Sequence, residues 1–347
     1  MLAPHGLSYP PDPGSVAISS IGGNVATNAG GLCCVRYGVT RDYVRRLRVV
    51  LADGTLTTLG TTTAKGVAGL DLRSLFVGSE GTLGVVVEVT LRLVPTLPEP
   101  LTAVATFADI RSAAATVADL MAAGAQPCLV ESMDRTTLEM LRETGHTDLD
   151  AQAGAVLLVQ SDGGGSRDAA QAEVEALGRF AQEHGALDVA VSDDPADSAA
   201  LVAMRRMAQP SFERWAQAHG GGQLLDDVCL PRTRLPEFYD RLETIRQESG
   251  LTIAVVAHAG DGNTHPSVFF DTSDPDSVAR ADAAFDAIME LGLELGGTIT
   301  GEHGVGHLKR RWLARELDEG SRRVHLAVKA ALDPLGILNP GKMLAEL

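Results

Sequence analysis

Two histidines, His258 and His265, stand seven residues apart in "VVAHAGDGNTHPS" (255–267), with Gly-Asp-Gly-Asn between them. Asp261-Gly262 is a preferred pair for a two-residue type I′ turn, and β-prone "TIAVV" and "SVFF" flank it. That register predicts a hairpin in which Gly260 faces Asn263, Ala259 faces Thr264 and His258 faces His265. Directly opposed residues share a face, with Cβ atoms roughly 4.5–5.5 Å apart, which suits two imidazoles converging on one ion. A turn moved by one residue destroys the pairing, so the spacing informs only if the register holds. Otherwise these are ordinary hairpin histidines, solvated or bonded to backbone, in a chain whose 9 histidines among 347 residues are unremarkable in number.

A metal needs a further ligand, and a carboxylate often completes a set of two imidazoles. The best candidate is Glu302 in "GGTITGEHGVGHLKRR" (296–311), where it lies between glycines on a loop. Its neighbour His303 would face the same cavity and is a candidate general base. "HLKRR" adds positive charge of the kind a carboxylate substrate needs, or is simply a solvated helix start.

Two glycine-rich segments lie at the front. "SIGGNVATNAGG" (20–31) has four glycines and two asparagines in twelve residues. Such a stretch lets backbone N–H groups approach a ligand, or serves as a turn-rich connector. It is neither a P-loop nor the Rossmann G-x-G-x-x-G. "FVGSEGTLGVV" (76–86) is a second loop, running into a β-branched strand ended by Pro95.

The elements that must position these residues change character along the chain. Up to residue 97 it is β-prone, with a hairpin signal at Asp53-Gly54 in "RVVLADGTLTTLG". "TLPEP" (96–100) reads as a linker. Beyond it strands alternate with amphipathic helices: "DIRSAAATVADLMAAG" is capped by Asp109 and stopped by Gly124, and "SRDAAQAEVEALGRFAQEHG", "SAALVAMRRMAQPSFERWAQAHG", "RLPEFYDRLETIRQESG" and "VARADAAFDAIMELGLELGG" are each read as one helix. "AVLLVQS" and "LLDDVCLP" are strands. The predicted class is α+β, an antiparallel sheet with helices on one face. The tail "LDPLGILNPGKM" is too broken by proline and glycine for a regular helix.

Hydrophobic content of 45% with 21% charged residues fits a globular protein of two domains. The net charge of -16 and 4% aromatics argue against nucleic acid as a partner. Four cysteines without a C-x-x-C pair point to reduced thiols and a cytoplasmic location. The N-terminus has no signal-peptide pattern, and no apolar run reaches the roughly 18 residues of a membrane span.

Taken together, "SIGGNVATNAGG", "YGVTRDYV", "LFVGSEGTLGVV", "HAGDGNTH", "TGEHGVG" and "DPLGILNPGKM" resemble the FAD-linked oxidases of the vanillyl-alcohol oxidase type. The branch is that of D-lactate dehydrogenase, the glycolate oxidase FAD subunit and D-2-hydroxyglutarate dehydrogenase. The resemblance spans nearly the whole chain. It implies an FAD-binding (PCMH-type) domain in residues 1–97 and an FAD-linked oxidase C-terminal domain, antiparallel sheet plus helices, in 98–347, with the tail 333–343 returning to the flavin. Family members carry a preceding segment with a pyrophosphate-binding glycine loop, so residues 1–97 are expected to be only the second part of that domain.

By the same resemblance Ser20, Ile21, Gly22, Gly23, Asn24, Thr27, Asn28, Gly30, Gly31, Tyr37, Gly38, Glu80, Gly84, Val86 and Asn339 lie along FAD. His258, His265 and Glu302 match the ligands of a divalent ion (Zn, Mn or Fe), His303 the base, and Arg205 the arginine that holds the substrate carboxylate. Gln209 and Leu225 fall where the 2-hydroxyglutarate enzymes have threonine and lysine, which favours a smaller acid. The expected reaction is oxidation of D-lactate or glycolate to the 2-oxo acid, with hydride passing to flavin N5. The electron acceptor is open among quinone, cytochrome and electron-transfer flavoprotein, and a homodimer is compatible with the sequence. Two alternatives remain at this point: a non-redox metalloenzyme using the same ligands, and an inactive fragment that binds no FAD.

Overall fold

A computed structural model describes residues 2–145, 151–345 and 347. The chain forms two compact units, Met1–Thr96 with Ile299–Leu347, and Leu97–Thr298. The sequence reading returns only residues 333–343 to the front end, whereas the structure groups all of Ile299–Leu347 with it.

The first unit opens with β1 (Leu7–Ser8), then α1 (Ile21–Thr27), α2 (Cys34–Tyr37) and α3 (Thr40–Tyr43). Next come β2 (Val44–Val50), β3 (Leu56–Gly60), α4 (Leu72–Phe76), β4 (Val85–Leu91) and β5 (Val94–Pro95). β3, β2 and β4 make an antiparallel sheet, and β1 pairs with β5. The Asp53-Gly54 hairpin forms, with Val50 opposite Leu56 and Gly54 at φ 83°.

Period-2 alternation sends Leu47 and Val49 to a core with Val25, Phe76 and Leu83, while Arg46 and Arg48 pair outside with Glu88. Val328 and Leu332, from the helix Glu319–Leu332, pack against the same core. Lys329 of that helix donates to the Thr82 and Leu338 carbonyls. These contacts are why the C-terminal segment belongs to the front unit.

The second unit contains β6 (Leu101–Phe107), α5 (Ile110–Ala122), β7 (Leu129–Asp134), α6 (Arg135–Glu143), β8 (Ala155–Ser161) and α7 (Arg167–Glu183). β9 (Asp188–Ser192), α8 (Pro195–Arg206), α9 (Ala208–Ala218), β10 (Gly221–Leu225) and β11 (Val228–Cys229) follow. α10 (Leu235–Ser249), β12 (Thr252–His258), β13 (Asn263–Asp271) and α11 (Pro275–Glu294) complete it. All pairings are antiparallel, in the order β10-β13-β12-β7-β8-β6-β9, with β11 also on β13.

Helices cover both faces of this sheet, not one. On the first face, Phe107, Val130, Leu157 and Ala257 pack against Val117 of α5 and Leu177 of α7. Arg246 of α10 also reaches Asp134 there. Burial works against the Arg246 charge, but the Asp134 and Glu243 carboxylates together outweigh it and hold the guanidinium pKa up. On the other face, Ser198 of α8 bonds to Thr102, and Phe212 of α9 meets Phe269 edge-on. Double cover explains why all of β7 and β8 is buried.

Two further expectations change. The helix read across 198–220 is two helices that meet at Met207. Pro210, with no N–H and a ring that crowds the carbonyl four residues back, accounts for the break. "LLDDVCLP" is likewise two strands, interrupted at Asp226-Asp227. That interruption makes room for Pro266 inside the sheet. β10 pairs with β13 only as far as Ser267, and β11 takes over at Thr264. The Pro266 carbonyl accepts from Asp226 N–H on that side, so the missing Pro266 donor points at the gap between ladders.

Candidate active site

His258 ends β12 and His265 lies on β13, each 5% exposed. The register is not the one the turn signal predicts. His258 pairs with Asn263, and His265 with Val256. The loop is four residues, Ala259–Gly262, closed by Asp261 N–H to His258 O (3.0 Å) and Gly262 N–H to Ala259 O (3.2 Å). The histidines are therefore diagonal neighbours instead of opposed ones. Because side chains alternate with a period of 2, a change that preserves parity leaves both rings on one face. Their centroids are 4.9 Å apart, ring planes at 84°.

That face carries a third group that sequence reasoning missed. Glu131 sits in mid-β7, wholly buried and directly opposite His258 in register. One carboxylate oxygen lies 2.6 Å from His258 Nδ1. The other is 2.8 Å from Nε of Arg205, near the end of α8 and 8% exposed. The Arg205 contact is a close ion pair, not a well-directed hydrogen bond. The signal available in the sequence was an acid in the middle of the strand "LVESMD", since a buried charge is retained only with partners. The donor chemistry here fits a divalent ion: two adjacent buried imidazoles, one with Nδ1 already engaged. Gln209 of α9 donates to Glu213 and accepts a long 3.4 Å bond from Gln223, and Leu225 pairs with Ser267 in the sheet.

In the first unit the motifs converge on Glu80. "SIGGNVATNAGG" is not an open loop: Ser20 caps α1, and Asn28 ends it at φ 55°. Its carbonyls at Val25 and Ala26 accept from Gly78 N–H (2.9 Å) and Glu80 N–H (2.8 Å). Glu80 itself has φ 50°. Its carboxylate takes Val305 N–H at 2.6 Å and Gly306 N–H at 2.8 Å, and its carbonyl accepts from Asn339 Nδ2 at 2.5 Å. Thus α1, the second glycine segment, "GEHGVG" and the tail are tied at one residue. Glu302 is half-buried and His303 exposed on this loop. A Cβ on Gly30 would lie 2.6 Å from the Glu302 carboxylate, so glycine there makes room for the acid.

The flavin residues named by resemblance divide in kind. Gly22 and Gly23 are exposed, and a Cβ on either would meet nothing but Ser20 Oγ, so a flat ligand can reach backbone there. The residues fit a flavin at this edge. Gly31 and Gly38 have positive φ, and a Cβ on them would strike Asp12 O and the Asp42 carboxylate. Thr27 bonds to the Gly23 carbonyl, Asn24 is buried, and the Tyr37 carbonyl accepts from Tyr43 OH. Gly84 has an internal reason for being glycine: a Cβ would lie 2.5 Å from Val49 Cγ1 and 2.8 Å from Phe76. Val86 packs on the same core. Of the cations in "HLKRR", Lys309 donates to Ile299 O and Arg310 to Gly341 O, while Arg311 lies over the Trp312 ring.

Comparison with known proteins places this architecture. Residues 98–343 match the family model "FAD linked oxidases, C-terminal domain", and residues 1–60 match "FAD binding domain". The chain belongs to the FAD-linked oxidase family. The glycolate oxidase subunit GlcD of Bacillus subtilis is 40% identical over 98% of this chain and 71% of its own length. The GlcD subunit of Escherichia coli K12 is 38% identical, over 100% and 68%. D-lactate dehydrogenase of Anaerostipes hadrus is 35% identical, over 99% and 72%. Among solved structures p-cresol methylhydroxylase has the same fold, with TM-score 0.74 at 15% identity over 99% of this chain and 73% of that one. Alkyldihydroxyacetonephosphate synthase gives 0.67 at 16%, over 98% of this chain and 60% of that one. This FAD-linked oxidase has, among its described residues, no helix long and apolar enough to cross a membrane.

Because Glu80 ties four segments, its substitution has a local readout. Glu80→Gln keeps the volume but halves the acceptor capacity and removes the charge that strengthens both N–H bonds. The expected result is faster amide exchange at Val305 and Gly306, by about tenfold for ~1.4 kcal/mol lost. Hydrogen-exchange mass spectrometry on the peptide spanning 299–309 measures it, and unchanged exchange contradicts the anchoring role.

Proposed function

We propose that this chain oxidises a small D-2-hydroxy acid, D-lactate or glycolate, to its 2-oxo acid with FAD. The supporting observation is the buried row His265, His258, Glu131 and Arg205, which pairs imidazole donors with a guanidinium on one sheet face. The names of the matched relatives point to the same substrate class. When bound, FAD accepts the α-hydrogen with its two electrons, and a divalent ion polarises the hydroxyl and lowers its pKa.

The chain's own residues do the rest. His258 and His265 hold the ion, with Glu302 as third ligand. Arg205 has Nε against Glu131 and binds the substrate carboxylate through its Nη fork. His303 takes the hydroxyl proton. FAD lies along Ser20–Gly31, Tyr37 and Gly38, the segment 78–86 and Asn339. Zinc, manganese or iron satisfies this donor set. A separate electron acceptor and a cytoplasmic setting complete the reading.

The test is the visible spectrum of the purified protein. Uptake of FAD, followed by anaerobic bleaching with D-lactate or glycolate but not L-lactate, is the expected result. A protein that takes up no added FAD overturns the proposal and favours the inactive fragment. Hydrolytic activity that persists without flavin would favour a non-redox metalloenzyme.

A further inference from the structure

We propose that Glu131 is the positioning residue of this site, setting with one carboxylate both the tautomer of His258 and the orientation of Arg205. The inference rests on the reading above for what the two partners then bind. Each carboxylate oxygen has a different cationic or N–H partner: His258 Nδ1 at 2.6 Å on one, Arg205 Nε at 2.8 Å on the other. With the Arg205 guanidinium against one oxygen, the other oxygen acts as the acceptor, so the proton between Glu131 and His258 belongs to Nδ1. The Nε2 lone pair is thereby left as the ligand atom of His258. The same logic applies to Arg205: with Nε committed to Glu131, the fork that would take a carboxylate is its pair of Nη groups.

The carboxylate is well fixed for this task. Glu131 is 0% exposed, on a strand hydrogen-bonded to β8 on one side and β12 on the other. It lies opposite His258 across the β12 ladder, so backbone register delivers the side chain to the ring. A purely charge-balancing acid could meet Arg205 alone. The short contact to Nδ1 is the part that charge balance does not need. Outer partners of this kind typically matter about 10–100-fold in metal affinity.

Glu131→Gln is the discriminating change, because it keeps size and removes one acceptor. The amide oxygen can serve His258 or Arg205, but the amide nitrogen then faces the other donor, N–H against N–H. Two measurements on the full chain decide it. The first is ¹⁵N-imidazole NMR of the metal-free wild-type protein, with the His258 signal assigned by its loss in His258→Gln. An Nδ1–H, Nε2-bare ring is expected, and an Nε2–H ring overturns the proposal. The second is zinc affinity by chelator competition together with steady-state kinetics on FAD-loaded protein. Glu131→Gln should bind zinc about 10–100-fold more weakly or show a raised KM with kcat less affected. Zinc affinity and KM both within twofold of wild type overturn it. If Glu131→Gln does not fold, the wild-type tautomer decides alone. A wild type that takes no zinc but shows Nδ1–H at His258 defeats the metal reading and sustains the Glu131 assignment.

Discussion

His265→Ala is expected to lower kcat/KM for D-lactate about a thousandfold while leaving the flavin absorbance intact. Lewis-acid polarisation of a hydroxyl contributes several kcal/mol to a transition state, and roughly 4 kcal/mol is three powers of ten in rate. His265 is the better target of the pair. Removing His258 strips the buried Glu131 of its 2.6 Å partner, mixing a stability loss with a catalytic one. His265→Ala leaves the His258–Glu131–Arg205 row in place. The segments proposed to hold FAD belong to the other unit, so flavin absorbance is a separate readout from the hairpin. Steady-state rates and elemental analysis of bound metal are the measurements. A wild-type rate with the metal lost removes the ion from the mechanism, and a wild-type rate with wild-type metal content removes His265 as its ligand.

What the sequence made legible was periodic or local. Turn chemistry gave the Asp53-Gly54 hairpin almost as it is, and a cap gave α5, where Asp109 accepts the expected N–H bond. The histidine hairpin was right in face and wrong in register. The Asp-Gly pair is a strong turn former, but Gly260 N–H bonds to Val130 O, and Gly262 O accepts from Leu230 N–H. Tertiary bonds on both flanks favour a four-residue loop over the two-residue one that local preference predicts. The face survived because parity, not register, decides it.

Glu131 was illegible as a site residue for a different reason. Its partners come from 74 and 127 positions away, and nothing in a strand's own pattern says which helix will cover which face. The same ignorance produced the one-face sheet. Once α8 and α9 are known to cover the second face, the buried polar residues Thr102, Gln160, Glu131 and Ser267 become a lining instead of an anomaly. Glu80 shows the converse. The resemblance placed it along the flavin, and its geometry also ties α1, the 301–306 loop and Asn339 together. Glycine-rich stretches let backbone come close, and here what comes close is partly the chain itself.

The second large effect is expected from a single methyl group at the hairpin turn. Gly262 has φ +81°, and a Cβ there would lie 2.1 Å from Leu230 O. The obstacle is backbone, and it is held: Leu230 N–H donates to Gly262 O at 2.9 Å, and Cys229 is bridged to Thr298. The turn and the 229–230 segment therefore separate only by losing that bond. Left-handed backbone costs alanine about 1–2 kcal/mol, and displacement of a packed turn brings the total to roughly 3 kcal/mol. For a unit of this size that is a fall in Tm of about 6–12 °C. Gly124→Ala is the internal control. It sits in the same unit at φ +85°, but its Cβ meets nothing within 4 Å, so only the backbone cost of about 1–2 kcal/mol applies. Thermal denaturation of the two variants separates clash from strain. Gly262→Ala should also lose zinc, because the loop that displaces is the one joining His258 to His265, whereas Gly124→Ala should keep it. Equal losses of Tm in the two variants, or wild-type zinc uptake by Gly262→Ala, would show that the Leu230 contact does not hold the histidine hairpin in place.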